Sequence, residues 1–286
     1  MELQWPLILF TTFVCAGAGL LAVQSLYALL GKGKKAQLPA IITSVVLVAI
    51  GGICVFFHLQ HWERIFNGFG HLSSGITQEL IAVVLLVIVA VIIFIQLRRN
   101  DEVAKWAAIV GIIVGLGTIL VCGLSYMMPS RPAWNSGMQI LSLYGFGLAA
   151  GAGLFAFFDG DEADNAFHFI VTLATTVLGA VFVGGFVGTM NSATSKFTDV
   201  GYYFDPNHPT IAVANAANYS PFAAGVAGYT WGAIILAIVA VILAVVGKVT
   251  KKWKICGCLI AVCAIIAAIL LRAVFFSAGG SVYMFF

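Results

Sequence analysis

The chain reads as an all-α polytopic membrane protein of about eight transmembrane helices with both termini outside, a single integral membrane domain over residues 1–286. Three observations carry that reading. Of the 286 residues 62% are hydrophobic and 9% charged, and the mean hydropathy is +1.06, a balance foreign to soluble domains of this size. Polar breaks cut the chain into runs of about 20 residues, the length a bilayer core demands. Within each run the apolar residues are continuous and do not alternate, which predicts helices and not barrel strands.

In chain order, the first span runs over Trp5–Leu30. No basic stretch precedes it, so it is expected to persist as an anchor and not to be a cleaved leader. Leu38–Phe57 follows a lysine cluster and ends at His58. Thr77–Leu97 starts two residues before Glu79 and stops at Arg98 and Arg99. Lys105–Met127, Met138–Phe158 and Ala166–Met190 follow, with glycines spaced small-xxx-small at Gly111/Gly115, Gly147/Gly151 and Gly184/Gly188; such pairs are expected at close helix contacts. Val226–Val246 and Ile255–Phe276 complete the set. Between the sixth and seventh spans lies 191–225, a long aromatic loop with Tyr202, Tyr203, Phe204, Tyr219 and Phe222, suited to covering a site or docking a partner.

Basic residues predict the orientation. Lys32, Lys34, Lys35, Arg98, Arg99, Lys105, Lys248, Lys251, Lys252 and Lys254, ten of the fourteen, occupy three loops that fall on one side. Only Arg64, Arg131, Lys196 and Arg272 remain for the other. The positive-inside rule then places the lysine loops inside and both termini outside. The acidic loop from Asp159 to Asp164 falls inside against the trend, but acids weigh little in that rule. A net charge of +3 spread over short loops gives no reason to expect nucleic acid as a partner.

The chemistry concentrates at the outer side. His58, His61, Glu63, Arg64, Asn67, His71 and Glu79 lie between the second and third spans. Ionisable groups at the rim of hydrocarbon are site candidates, although a solvated loop capping two helices is the plain alternative. Depth adds a further member. Glu79 lies ~28 Å from Arg98 and Arg272 ~27 Å from Lys254 along their helices, so both reach the outer boundary of a ~30 Å core, level with His58. Glu79 and Arg272 are expected to pair there.

A quinol suits such a pocket: an apolar slot for its tail, polar groups for its ring hydroxyls, and bases to take two protons as two electrons leave. Histidine is the natural first acceptor and a carboxylate the second. The same groups would suit a proton-coupled transporter gate. A transporter, however, usually carries polar groups at midplane beside broken helices, and here the polar chemistry sits at one rim. Haem bound by two histidines across the membrane is disfavoured, because His58, His61 and His71 share one end while His168 opens the sixth span near the other face. Cys15, Cys54, Cys122, Cys256, Cys258 and Cys263 show no Cys-x-x-Cys spacing and read as small buried residues, with no metal site expected.

Trp5-Pro6-Leu7, His58-Leu59 with Arg64 and Asn67, Ser74 and Glu79, and the closing Arg272-Ala-Val-Phe-Phe276 resemble the membrane anchor subunit of the anaerobic dimethyl sulfoxide reductase family, and more distantly the polysulfide-reductase-type anchors. The resemblance covers the whole chain in span number and motif order. It implies a haem-free subunit in the cytoplasmic membrane of a prokaryote that oxidises menaquinol to menaquinone in anaerobic respiration. Electrons would pass to a four-cluster iron–sulfur subunit and on to a catalytic subunit carrying molybdenum bis-pterin guanine dinucleotide. It also implies a quinol site at His58 with Glu79 close by, the two residues expected to act in the chemistry, with Arg64, Asn67 and Arg272 around them. Tunnelling needs a short gap to the first cluster, so the iron–sulfur partner is expected over the outer face, with His58→Ala abolishing quinol oxidation but not assembly.

Overall fold

The computed structural model describes every residue except 1–2, 60, 62–66, 68, 162–163, 197–202, 206–207, 213–215 and 282–286. Among the described residues eight helices are long and apolar enough to cross a membrane. They are α1 Trp5–Leu29, α2 Lys34–Phe56, α3 Gly75–Asn100, α4 Lys105–Leu124, α5 Gly137–Asp159, α6 Asn165–Ala193, α7 Ala227–Thr250 and α8 Trp253–Ser277. All eight expected spans are present, with ends displaced by a few residues. Three helix starts follow from local chemistry. Pro6 sits in the first turn of α1, where its missing N–H takes nothing from the helix. Ser136 caps α5 by accepting from the Met138 N–H at 3.2 Å, and Asp164 caps α6 by accepting from Phe167 N–H at 3.1 Å.

The helices form two antiparallel four-helix bundles side by side. In the first, each of α1 to α4 packs on its sequence neighbour and α4 closes back on α1; in the second, α5 to α8 repeat that order and α8 closes on α5. The bundles meet chiefly where α1 lies on α5, and these two helices are the most enclosed. Glycine makes the meeting possible. A Cβ on Gly19 would stand 2.0 Å from the Gly147 carbonyl oxygen, and one on Gly151 would stand 2.6 Å from that of Gly19. In the second bundle α7 turns a seam of Ala233, Ala237, Ala240, Ala244 and Gly247 inward. Large apolar side chains such as Ile88, Ile113, Ile170, Ile235 and Ile255 point outward, as lipid requires.

Two of the three expected glycine contacts form. Gly111 and Gly115 touch Ser25 and Ala18 of α1, and Gly147 and Gly151 touch α1, but Gly184 and Gly188 face open space. The third pair is therefore a correction: spacing marks a small face without providing a neighbour. The cysteines also divide, since Cys15, Cys122, Cys256 and Cys263 are buried whereas Cys258 is exposed and Cys54 half-buried. The stretch 191–225 begins with the last turn of α6 and holds a short antiparallel ribbon, β1 Tyr203–Asp205 with β2 His208–Ala212.

One end of the bundles carries both terminal helix ends and the loops after α2, α4 and α6; it is called the terminal face below. The opposite, lysine-rich face gathers Lys32, Lys34, Lys105, Lys248 and Lys252. The acidic loop has work there. Asp164 takes the Lys32 ammonium at 2.5 Å and Asp161 accepts from Lys254 N–H at the start of α8 at 2.9 Å. Glu102 takes Lys34 at 2.9 Å, and that partner holds its carboxyl below the usual range.

Candidate functional site

Arg272 lies five residues before the end of α8, near the terminal face, and is 3% exposed. A guanidinium in that setting calls for company, because an isolated buried charge costs several kcal/mol. Its Nε donates to Thr11 Oγ1 of α1 at 3.1 Å. Its flat faces meet rings: the guanidinium carbon is 3.9 Å from the Phe275 centroid, 4.6 Å from Tyr126 and 5.3 Å from Phe276. Each desolvated cation–ring contact offsets burial by about 2 kcal/mol. Among the described residues neither terminal nitrogen, Nη1 or Nη2, has a partner in hydrogen-bonding geometry.

The α4–α5 loop builds the rest of this cage. Trp134 stacks on Phe275 at 4.5 Å and donates its Nε1–H to the Phe275 carbonyl at 2.7 Å. Arg131 covers the far face of the cage by bonding the Gly279 carbonyl at 2.5 Å and lying 4.4 Å from the Trp134 ring. Burial pushes the Tyr126 phenol above its ordinary value, so it stays neutral and serves as a ring and a potential donor.

Glu79 is the acidic member, one turn into α3 and 8% exposed. Ser125, at the end of α4, donates its hydroxyl to Glu79 Oε1. The expected ion pair between Glu79 and Arg272 is a correction: no such bridge forms, because each has its own short partner, Ser125 for the acid and Thr11 for the base. The dipeptide Ser125-Tyr126 connects them instead, one residue holding the carboxyl and the next stacking on the guanidinium. In the terminal-face thirds of α1 and α5, Thr12 Oγ1 and both amide atoms of Gln139 are buried without partners among the described residues.

The remaining expected residues lie differently. His58 follows α2 directly, with its backbone N–H on the Val55 carbonyl and its side chain exposed; Asn67, His61 and His71 are exposed too. Arg64 lies outside the described residues. The expected site thus splits into a buried core, Glu79 and Arg272, and an exposed rim led by His58. Sequence reasoning missed Ser125, Tyr126 and Thr11, which only the packing of α1, α3, α4 and α8 brings together.

A second buried polar group occupies the lysine-rich end. His168 of α6 is fully buried, with the Tyr27 hydroxyl 2.7 Å from Nδ1 and Asp159 Oδ2 3.0 Å from Nε2. Gln24 of α1 donates to Gln37 of α2 at 2.5 Å nearby.

A family model for the DMSO reductase anchor subunit (DmsC) matches residues 1–278, nearly the whole chain. The chain belongs to that family. No curated protein matches it. As a DMSO reductase anchor subunit it is the membrane member of a complex with catalytic and iron–sulfur subunits. Among the described residues, the buried side-chain groups that lack a hydrogen-bond partner, on Thr12, Gln139 and Arg272, all lie toward the terminal face. Among the described residues no group of three or more His, Cys, Asp or Glu side chains converges as a metal ion would need.

Proposed function

We propose that this anchor subunit oxidises menaquinol at the terminal face and passes the electrons to a four-cluster iron–sulfur subunit, which supplies the molybdenum bis-pterin guanine dinucleotide enzyme. The observation that carries the reading is a buried carboxyl and a buried guanidinium with two unpartnered nitrogens, linked through Ser125-Tyr126 at one end of the bundle. A quinol ring presents two hydroxyls. Glu79 is the acceptor for one proton, and the Arg272 nitrogens are donors to a ring oxygen as it becomes a carbonyl. His58, exposed at the end of α2, relays protons to water; Asn67 and Arg64 complete the proposed rim. The balance is one quinol giving one quinone, two protons and two electrons, the electrons leaving through the partner cluster.

The subunit works without haem in this reading. Support comes from His168, whose two ring nitrogens are already engaged by Tyr27 and Asp159, and from the exposed setting of His58, His61 and His71. In this reading the lysine loops face the cytoplasm at the inner side of a prokaryotic cytoplasmic membrane, so the site and the partner subunits share the outer face. Proton release and electron delivery on one side make the step electrically neutral.

Glu79→Gln and His58→Ala in the whole complex test the assignment. Quinol-driven acceptor reduction should fall by about 10²-fold or more in each. Reduction driven by a soluble dye that feeds the catalytic subunit directly should persist, showing that the complex has assembled. Undiminished quinol turnover in both variants would place the chemistry elsewhere, and catalytic subunits bound over Lys248–Lys254 would overturn the sidedness.

A further inference from the structure

The seam between α3 and α4 is closed at the terminal face and open below it. At the top the helices touch: a Cβ on Gly75 would lie 2.7 Å from the Ser125 Cβ, and Ser125 bonds Glu79 across the seam. Beneath this roof lies a groove of about 390 Å³, with Gln78 at its mouth and Leu85, Ile113, Gly117 and Val121 along its walls. That volume falls in the range of about 300–1,000 Å³ typical of small-molecule sites. Helical spacing ties the two features together. Gln78 immediately precedes Glu79, and Ser125 stands one turn above Val121 on the same face of α4. From Gln78 to Leu85 the groove descends ~10 Å toward the membrane centre.

Its chemistry changes with depth. The Gln78 amide is at the mouth, where it donates to the Leu72 carbonyl at 3.3 Å. Lower down, the Thr118 hydroxyl is turned to the Val114 carbonyl of its own helix at 2.8 Å, so it leaves the wall apolar. Leu85 and Ile113 are exposed, which in this bundle means open to lipid. Gly117 gives the groove its depth: a Cβ there would meet nothing within 4 Å.

We infer that this groove holds the isoprenoid tail of the quinol, its ring lying under the Glu79–Ser125 roof; the inference rests on the quinol reading above. The occupant follows from what stands at the top of the groove. Phospholipid chains are the other long hydrocarbons of a bilayer, but threading one here would bring its anionic phosphate against the Glu79 carboxyl. A quinol is neutral, donates hydrogen bonds and carries a tail from the same ring. With the seam closed above, the ring enters sideways from the lipid and not from water.

The test compares menaquinol bearing a long tail with a short-tailed soluble quinol in the reconstituted complex. Gly117→Leu projects a side chain into the groove from a position where a Cβ meets nothing within 4 Å. It should lower the ratio of kcat/KM for long over short quinol by about tenfold, the scale on which a hydrophobic pocket discriminates. Ile113→Trp, on an exposed wall at the deep end, should shift the ratio in the same direction. An unchanged ratio in both variants overturns the tail assignment, whatever the absolute rates. Glu79→Gln separates this from the parent reading: it should depress both quinols together with their ratio kept, and if it depresses neither, the ring site itself is wrong.

Discussion

At the lysine-rich end, His168 is fully buried and both of its ring nitrogens are occupied, by Tyr27 and by Asp159. At the terminal end, Arg272 is as deeply enclosed, yet among the described residues Nη1 and Nη2 have no partner, and Thr12 and Gln139 toward the same end are also unsatisfied. Both ends therefore bury ionisable groups near the membrane boundary, but only one leaves hydrogen-bonding capacity over. A satisfied network fixes helices in place. An unsatisfied one costs about 1–3 kcal/mol per group and has a use only if something arrives to complete it. In the proposed reading that difference separates a structural polar core from a quinol site, and burial alone does not reveal it.

Substituting one residue at each end gives the sharpest way to break this contrast. Arg272→Gln should lower quinol oxidation by about 10²-fold in the assembled complex, since the donors to the ring oxygen are lost. Tyr27→Phe should leave turnover intact and instead reduce thermal stability by about 1–3 kcal/mol, the cost of an unpaired buried His168 nitrogen. Quinol titrations and melting curves on both variants decide it; loss of turnover in Tyr27→Phe with an unchanged melt would erase the distinction.

A smaller effect probes packing. Gly19→Ala places a methyl 2.0 Å from the Gly147 carbonyl and forces α1 from α5, whereas the same change at Gly184 enters open space. The expected losses are about 1–3 kcal/mol for the first and under ~0.5 kcal/mol for the second. Equal melts would mean that the bundles do not meet through Gly19.

The smallest effect is electrostatic. Lys32, and then the Phe167 N–H, hold the Asp164 carboxyl below its ordinary range. A carboxyl depressed in the folded state stabilises above its unfolded pKa, and that contribution is lost as pH falls through the folded value. Asp164→Asn should therefore lower the melting temperature slightly at neutral pH and not at all in strong acid. Both side chains are more than a third exposed, so screening keeps the effect small. A difference that grows on acidification would contradict the sign.

Much of the fold was legible because membrane length and apolar continuity are one-dimensional signals. Each span was found within a few residues, and Glu79 and Arg272 stood out because ionisable groups are rare at that depth. What the sequence withheld was adjacency. Ser125 and Tyr126 just past the end of α4, and Thr11 within α1, are ordinary residues that acquire a role only through the contacts among α1, α3, α4 and α8. The same gap explains the expected Glu79–Arg272 bridge: depth places both residues in one layer, but it does not register Ser125 and Thr11 as nearer partners. Gly184 and Gly188 make the point again, since a small-residue pattern prepares a face and the fold chooses whether another helix takes it.

The backbone contact between α1 and α5 also bears on how the subunit is made. The first four helices can close on one another as they leave the ribosome, but the glycine face of α1 has no cover until α5 follows. For the time it takes to synthesise the intervening chain, that strip of backbone is open to lipid alone. The second bundle thus completes the first as it is inserted, and a chain interrupted before α5 would present the membrane with its most adhesive surface.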